Sequence, residues 1–348
     1  MRHAFLAFFC TMGMLASPAQ ASEDDPHLWL ERMSESLASR NYTGVFTHST
    51  RRQSETMRIV HRVGKGASTE RLVSLDGSGR EIVRTAEEVH VYLPDRRVVL
   101  VEPRTDGGSL LEALPEPGPD LDALYELRIQ DGHKLLGRDV RVLDIRSRDA
   151  FRYGYRLWLD EETAMPLRTV VVDGAGRPVE IINFTQLEMP RRIEARATEP
   201  TIDAAGFQWV RHARRPQAPP TAPVVWRPMK LPPGFRLVAS RTQVVPGVDF
   251  PVQHLIFSDG FASISVFIEP ARPEGPAPPQ SSSVGSANAF STLVQGHVVT
   301  AVGEVPLATV RDVARSVGPA PPPGPAADRS QPANASTATA GERALQPR

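Results

Sequence analysis

The stretch FRYGYRLWLDEETAMPLRTVVV, residues 151 to 172, decides the fold. Phe151, Tyr153, Tyr155, Leu157 and Leu159 fall on alternate positions, so they share one face of a pleated strand. Arg152, Gly154, Arg156, Trp158 and Asp160 take the other face. Asp160-Glu161-Glu162-Thr163 is a polar turn, and the chain returns through Leu167, Thr169 and Val171. Both arms are rich in aromatic and β-branched residues, which suit a half-buried sheet surface. The apolar face must pack on something, either a helix or a hydrophobic ligand.

Working outward, the same pattern recurs. Val140 to Arg146 precedes the hairpin, and Pro178 to Leu187 follows the Asp173-Gly174-Ala175-Gly176 turn. Further upstream lie Tyr42 to Ser49, Glu55 to Val63, Glu70 to Leu75, Arg80 to Thr85, Glu88 to Leu93 and Arg97 to Glu102. Short turn signals separate these strands, which predicts an antiparallel meander. Two helices are expected in this part. One lies within Ser22 to Asn41, started by Glu23-Asp24-Asp25-Pro26. The other spans Asp120 to Gln130, with Leu121, Leu124, Tyr125 and Leu127 on one face. Residues 103 to 118 are rich in Gly and Pro around a brief Leu110 to Leu114 segment, and a last segment lies near Ile193 to Thr198. The reading is a first domain over 22–210: one large, strongly curved antiparallel sheet carrying a few helices.

Residues 211–225 form a polar, Pro-rich linker, extended and semi-rigid. A smaller α+β domain is expected over 226–318. Its strands are Phe235 to Thr242, Pro251 to Ser258, Ala262 to Glu269 and Leu293 to Val302, with a helix at Leu307 to Val317. Asp259-Gly260 joins two of the strands as a hairpin signal, and Pro273 to Ser286 reads as a loop. Residues 319–348 combine Pro, Ala, Ser, Thr and Gly with few apolar anchors, and are expected to be disordered. The fold class is therefore mainly β with helices (α+β).

The chain has 40 basic and 40 acidic residues, so no strong field favours nucleic acid. Nearly all the basic residues are Arg; Lys occurs only at Lys65, Lys134 and Lys230. Residues 1–21 read as a cleavable export signal: Arg2, an apolar run from Ala4 to Ala16, then Ala19-Gln20-Ala21. The run is too short to span a bilayer. Cys10, the only cysteine, lies inside it behind Phe8 and Phe9, which does not suit a lipidated cysteine. The exported chain would lack cysteine and depend on its core, without disulfides.

No catalytic constellation is legible. Ser258, Ser263 and Ser265 lack a Gly-x-Ser-x-Gly elbow. His48, His61 and His90 are scattered singly, without metal-ligand spacing, so no metal and no cofactor are expected. The carboxylates Asp160, Glu161 and Glu162 read as a solvated turn, and Gly64, Gly66, Gly77 and Gly79 as strand connections. What remains is apolar surface. The concave face of a curved sheet can hold an acyl chain, driven by about 25 cal/mol per Å² of apolar area removed from water. The lipid-binding candidates are Tyr153, Tyr155 and Leu157, with Arg152 and Arg156 for phosphates. The alternatives are that the aromatics form a filled core and that the arginines are solubilising charges.

Several segments in order resemble one family. They are Arg71-Leu-Val-Ser-Leu-Asp-Gly77, Arg80-Glu-Ile-Val-Arg84, Tyr92-Leu-Pro-Asp-Arg96 and Phe151-Arg-Tyr-Gly-Tyr-Arg-Leu-Trp-Leu-Asp160. In the second part they are Trp226-Arg-Pro, Leu231-Pro-Pro-Gly-Phe235, His254 to Gly260, Ser263 to Glu269 and Val302-Gly-Glu-Val-Pro306. Together they resemble the RseB/MucB regulators of the envelope stress response, over about residues 22 to 318. The resemblance implies a LolA/LolB-like unclosed β-barrel in the first domain and residence in the periplasm. It implies binding to the periplasmic region of a RseA/MucA-type membrane anti-sigma factor, which shields that partner from regulated proteolysis and keeps the sigma factor inactive. Lipopolysaccharide or another amphiphile would release the partner. No catalytic residue carries over. The hairpin Phe257-Ser258-Asp259-Gly260-Phe261 is the expected partner contact, the alternative being that its two aromatics pack the second core. A lipid or lipoprotein carrier is the second functional reading. Open sheet edges would allow a homo-oligomer.

Overall fold

The structure is a computed structural model. It describes residues 24–64, 67–77, 79–104, 121–211, 226–244, 251–272 and 279–320. The expected export signal, the Leu110 to Leu114 segment, the linker beyond Arg211 and the tail beyond Ala320 lie outside the described residues.

Helix α1 (Pro26–Ser39) begins where the sequence predicts: Pro26 stands in its first turn, and the Asp25 carboxylate accepts the His27 N–H at 3.0 Å. Six strands follow: β1 (Tyr42–Thr50), β2 (Ser54–Val63), β3 (Ser68–Ser74), β4 (Glu81–Arg84), β5 (Glu88–Leu93) and β6 (Val98–Pro103). A one-turn helix α2 (Leu121–Leu124) leads into β7 (Tyr125–Asp131), β8 (Val140–Ser147), β9 (Gly154–Asp160), β10 (Pro166–Val172) and β11 (Pro178–Glu188). With β12 (Gln208–Arg211) they make one sheet of order β12-β6-β5-β4-β3-β2-β1-β11-β10-β9-β8-β7. Strands β7 and β12 are its two ends and do not pair, so the barrel is unclosed. Inside the curve, Trp29, Leu30, Met33 and Leu37 of α1 meet Tyr42, Phe46, Ile59, Leu72, Tyr155, Leu157 and Leu159 in one core.

The expected helix over Asp120 to Gln130 is corrected. Among the described residues only Leu121–Leu124 is helical, and Tyr125–Asp131 is strand β7, paired with β8 from Tyr125↔Ser147 to Asp131↔Arg141. Leu121, Leu124 and Tyr125 fit a helical stripe, but Tyr125, Leu127 and Ile129 also alternate. A neighbouring strand that offers a full hydrogen-bond ladder decides for the alternation. The sheet is also not wholly antiparallel, because β12 runs parallel to β6. The segment near Ile193 to Thr198 is a 3₁₀ turn over Ala195–Thr198. Strand β9 starts at Gly154, so Phe151, Arg152 and Tyr153 belong to the preceding turn.

The second sheet has the order β14-β15-β16-β19-β18-β17. Its strands are β14 (Arg236–Val244), β15 (Pro251–Ser258), β16 (Ser263–Pro270), β17 (Gln280–Val284), β18 (Ala287–Val294) and β19 (His297–Gly303). Helix α3 (Leu307–Arg315) packs Val310, Val313 and Ala314 on its inner face. Strands β13 (Trp226–Pro228) and β20 (Val317–Pro319) pair separately. Two expectations change here. Leu293 to Val302 is a hairpin: Gln295 and Gly296 both have positive φ, as a type I′ turn requires. The expected loop over Pro273 to Ser286 contains the edge strand β17.

Candidate functional site at the joint between the two sheets

The turn before β9 is built by Asp149, whose carboxylate accepts the Phe151 N–H at 2.9 Å. That turn delivers Arg152 inward, with its side chain fully buried. Arg152 Nε stands 3.0 Å from Asp259 Oδ2 and Nη1 stands 3.2 Å from Asp149 Oδ2. Nη2 donates to the Pro233 carbonyl at 2.6 Å. The guanidinium lies over the rings of Phe235 and Tyr125, at 5.2 and 5.7 Å.

Asp259 heads the turn between β15 and β16. Its Oδ1 accepts the N–H groups of Phe261 at 2.8 Å and Ala262 at 2.6 Å, leaving Oδ2 to face Arg152. Gly260 supplies the positive φ of 95° that the turn needs. Phe261 is thereby pushed out of its own sheet and into the core of the first. It is 2% exposed, with its ring centroid 5.2 Å from those of both Tyr125 and Tyr155. Burial raises the hydroxyl pKa of both tyrosines, helped at Tyr125 by the Asp259 charge and at Tyr155 by Glu304.

A second contact lies at the turn between β17 and β18. Glu180 of β11 accepts the Ser286 N–H at 2.7 Å on one oxygen and bonds His48 at 2.8 Å on the other. Burial disfavours the Glu180 charge, but His48 and Ser286 outweigh it and hold the pKa below the usual carboxylate value. The Glu180 hydrogen bond holds the His48 pKa above the ordinary histidine value. Gly285 suits this turn because its φ of 59° strains any residue with a side chain, and a Cβ there would also displace the Glu180 carboxylate. Asn288 donates to Tyr153 Oη at 3.0 Å, and Thr309 of α3 donates to the Phe151 carbonyl at 2.9 Å. Two parts of the second sheet and helix α3 therefore grip residues 151–153 and their neighbours.

The sequence candidates fall as follows. Tyr155 and Leu157 face the core interior, which α1 and Phe261 fill. Tyr153 joins the interface through Asn288. Arg152 is not surface charge but the buried centre of the joint. Arg156 is partly exposed and bonded to Asp144 of β8, beside a cleft of about 310 Å³ that Arg146 and Asp173 also line. In the hairpin candidate, Phe257 packs in the second core, Ser258 and Gly260 shape the turn, and Asp259 and Phe261 cross to the first sheet. Reading from sequence alone missed Glu180, Asn288 and Phe235. No local pattern distinguishes a residue that faces its own sheet from one that reaches into another. His48, His61 and His90 do not converge; each meets its own glutamate, Glu180, Glu70 or Glu88.

Comparison with known proteins covers both sheets. The MucB/RseB N-terminal domain family matches residues 25–202, and the MucB/RseB C-terminal domain family matches residues 220–318. The sigma factor AlgU regulatory protein MucB of Pseudomonas aeruginosa is 33% identical over 88% of this chain and 94% of its own length. The sigma-E factor regulatory protein RseB of Escherichia coli is 24% identical over 91% of this chain and 98% of its own. The crystal structure of MucB in complex with MucA(peri) matches with a TM-score of 0.65 and 30% identity, covering 85% of this chain and 99% of that one.

Proposed function

The chain belongs to the MucB/RseB family, and from that premise we propose that it binds the periplasmic region of a membrane anti-sigma factor. Members of this family are sigma-factor regulators and not enzymes. In the proposed role, binding shields the partner from regulated proteolysis and keeps the envelope-stress sigma factor inactive. Lipopolysaccharide or another lipid releases the partner. The protein reaches the periplasm by the cleavable signal at residues 1–21, as a first domain over 22–210 and a partner-binding domain over 226–318. The observation that carries this reading is the match, in order and across both sheets, to a MucB chain bound to MucA(peri).

Shielding needs only that the protease-sensitive stretch be held out of solvent, and release needs a ligand with different affinity for the bound and free forms. The test is a cleavage time course. The partner's periplasmic region is mixed with the stress protease, with and without this protein. The expected result is slowed cleavage that lipopolysaccharide restores. Full-rate cleavage at every concentration of this protein would remove the shielding reading. The carrier reading would then stand first.

A further inference from the structure

Four strands end the two large sheets: β12, β7, β14 and β17. An end strand presents unpaired N–H and C=O groups, and folded chains guard such edges with charge, proline, a bulge or brevity. Three of the four are guarded. Strand β7 carries Glu126, Arg128 and Asp131. Strand β14 carries Arg236 and Arg241 and breaks register between Leu237 and Ala239. Strand β12 is four residues long and ends on Arg211. Strand β17 has no charge, no proline and no bulge, and pairs with β18 in unbroken register from Gln280↔Ser291 to Val284↔Ala287. Its Ser281, Ser282 and Val284 are exposed, Val284 to 73%. Among the described residues no strand pairs with its other side. The Val284 end of this strand opens onto a cleft of about 360 Å³ between the two sheets. Ser283 and Val284 line one side of it, and Arg51 and Arg52, from the turn between β1 and β2, line the other; no carboxylate lines it. Arg51 shares the Asp173 carboxylate with Arg177, at 3.0 and 2.9 Å, so one negative charge answers two guanidinium groups. Arg52 is exposed and has no carboxylate partner among the described residues. The mouth of the cleft therefore carries surplus positive charge.

We propose that the free edge of β17 and the arginine-lined cleft at its end form a docking surface for an extended acidic peptide segment, which adds to β17 as a further strand and sets its carboxylates against Arg52 and Arg51. Alternate residues of an end strand direct their N–H and C=O groups to the open side, so five residues of peptide complete a ladder along β17. At about 3.3 Å per residue, one or two residues more reach into the cleft. The main-chain ladder supplies affinity for any extended segment, and the guanidinium groups select the acidic one. A second copy of this chain fits less well, because its own β17 brings no carboxylate to Arg52. The surface does not rest on the regulatory reading above; an anti-sigma segment of this chemistry would be one occupant of it.

The test is fluorescence anisotropy of the full exported chain with end-blocked peptides built on a Thr-Val-Thr-Val-Thr core. Two of them carry Asp-Glu, one at each end of the core, because a parallel and an antiparallel addition bring opposite ends to the cleft. The controls carry Lys-Lys in the same places, or Asp-Glu with the core amides N-methylated. The expected result is that at least one Asp-Glu peptide binds about tenfold tighter than its Lys-Lys counterpart, and that N-methylation abolishes binding. Arg52→Glu, a change on an exposed turn, weakens the Asp-Glu peptide about tenfold and reverses the preference. Hydrogen exchange of the bound chain slows at residues 281–284. Equal binding of the acidic and basic peptides, full binding of the N-methylated one, no effect of Arg52→Glu, slowed exchange elsewhere only, or no binding overturns the proposal. Slowed exchange at 281–284 that grows with protein concentration and needs no peptide assigns the edge to a second copy, and overturns it too. No anti-sigma segment and no protease is present in this assay, so its failure leaves the shielding reading intact, and the failure of shielding leaves this one intact.

Discussion

At the residue scale, the joint rests on charges placed where water is excluded. The Arg152 and Asp259 side chains are both fully buried, and in such a pair desolvation offsets much of the attraction, so the larger effect is the cost of removing one partner. The Glu180 contact is different, because it titrates. His48 is raised above its ordinary 6.5, so its contribution is full below that value and fades as pH rises through the raised pKa. Glu180 is lowered below its ordinary 4.5, so its contribution is full above that value and fades as pH falls through the lowered pKa. The pair is therefore strongest between pH 4.5 and 6.5. His48→Gln is expected to lower stability by on the order of 1 kcal/mol in that window and by much less at pH 9. Urea midpoints at the two pH values check this; an equal loss at both means that the His48 charge plays no part.

At the element scale, the segment from Arg191 to Phe207 is strapped across the first sheet before it delivers β12 to the edge beside β6. Glu81 of β4 is the main fastening. Its buried carboxylate takes the N–H groups of Thr201 and Ile202 and pairs with Arg71. Arg62 donates to the Ile193 carbonyl at 3.2 Å, and Asn41 to the Arg191 carbonyl at 2.9 Å. Under the strap lies a small separate cluster of Val83, Tyr92, Val99 and Val101 with Ile202 and Phe207. Glu81→Gln leaves Arg71 short of its counter-charge, and is expected to cost about 3 kcal/mol. Hydrogen exchange locates the effect: β12 and residues 199–207 should lose protection first, while β9 and β10 keep theirs. Uniform loss across the sheet would show that the strap is not a separable unit.

At the scale of the whole molecule, the two sheets share a core residue, a buried ion pair and a turn-capping carboxylate. They should therefore unfold together. Scanning calorimetry of the parent chain is expected to give one transition, and the double variant Phe261→Ala, Glu180→Gln two. One transition in both would mean that the sheets are coupled through other contacts.

The hairpin over residues 151–172 shows how much was legible in advance. The alternation of Tyr155, Leu157 and Leu159 with Arg156 and Trp158 is the physical record of a pleat with one buried face, and the structure keeps it. The start of α1 was legible for a similar reason, since Asp25 and Pro26 act on backbone groups beside them. The failure at Tyr125 to Asp131 came where two periods share the same residues and only a neighbouring strand decides between them.

The sequence by itself thus determined most strands of the first sheet and their faces, the α1 start and the two-part order that identifies the family, while β7 and β17 were not legible in it. It also carried the absence of any catalytic pattern. Tertiary structure alone decided what covers each face: α1 inside the curve, Phe261 between Tyr125 and Tyr155, and Asp259 against Arg152. The reason lies in range. Side-chain alternation and capping act over a few residues and are written locally. The partner of Arg152 stands 107 positions away in the chain, and only the folded sheets bring the two charges to 3.0 Å.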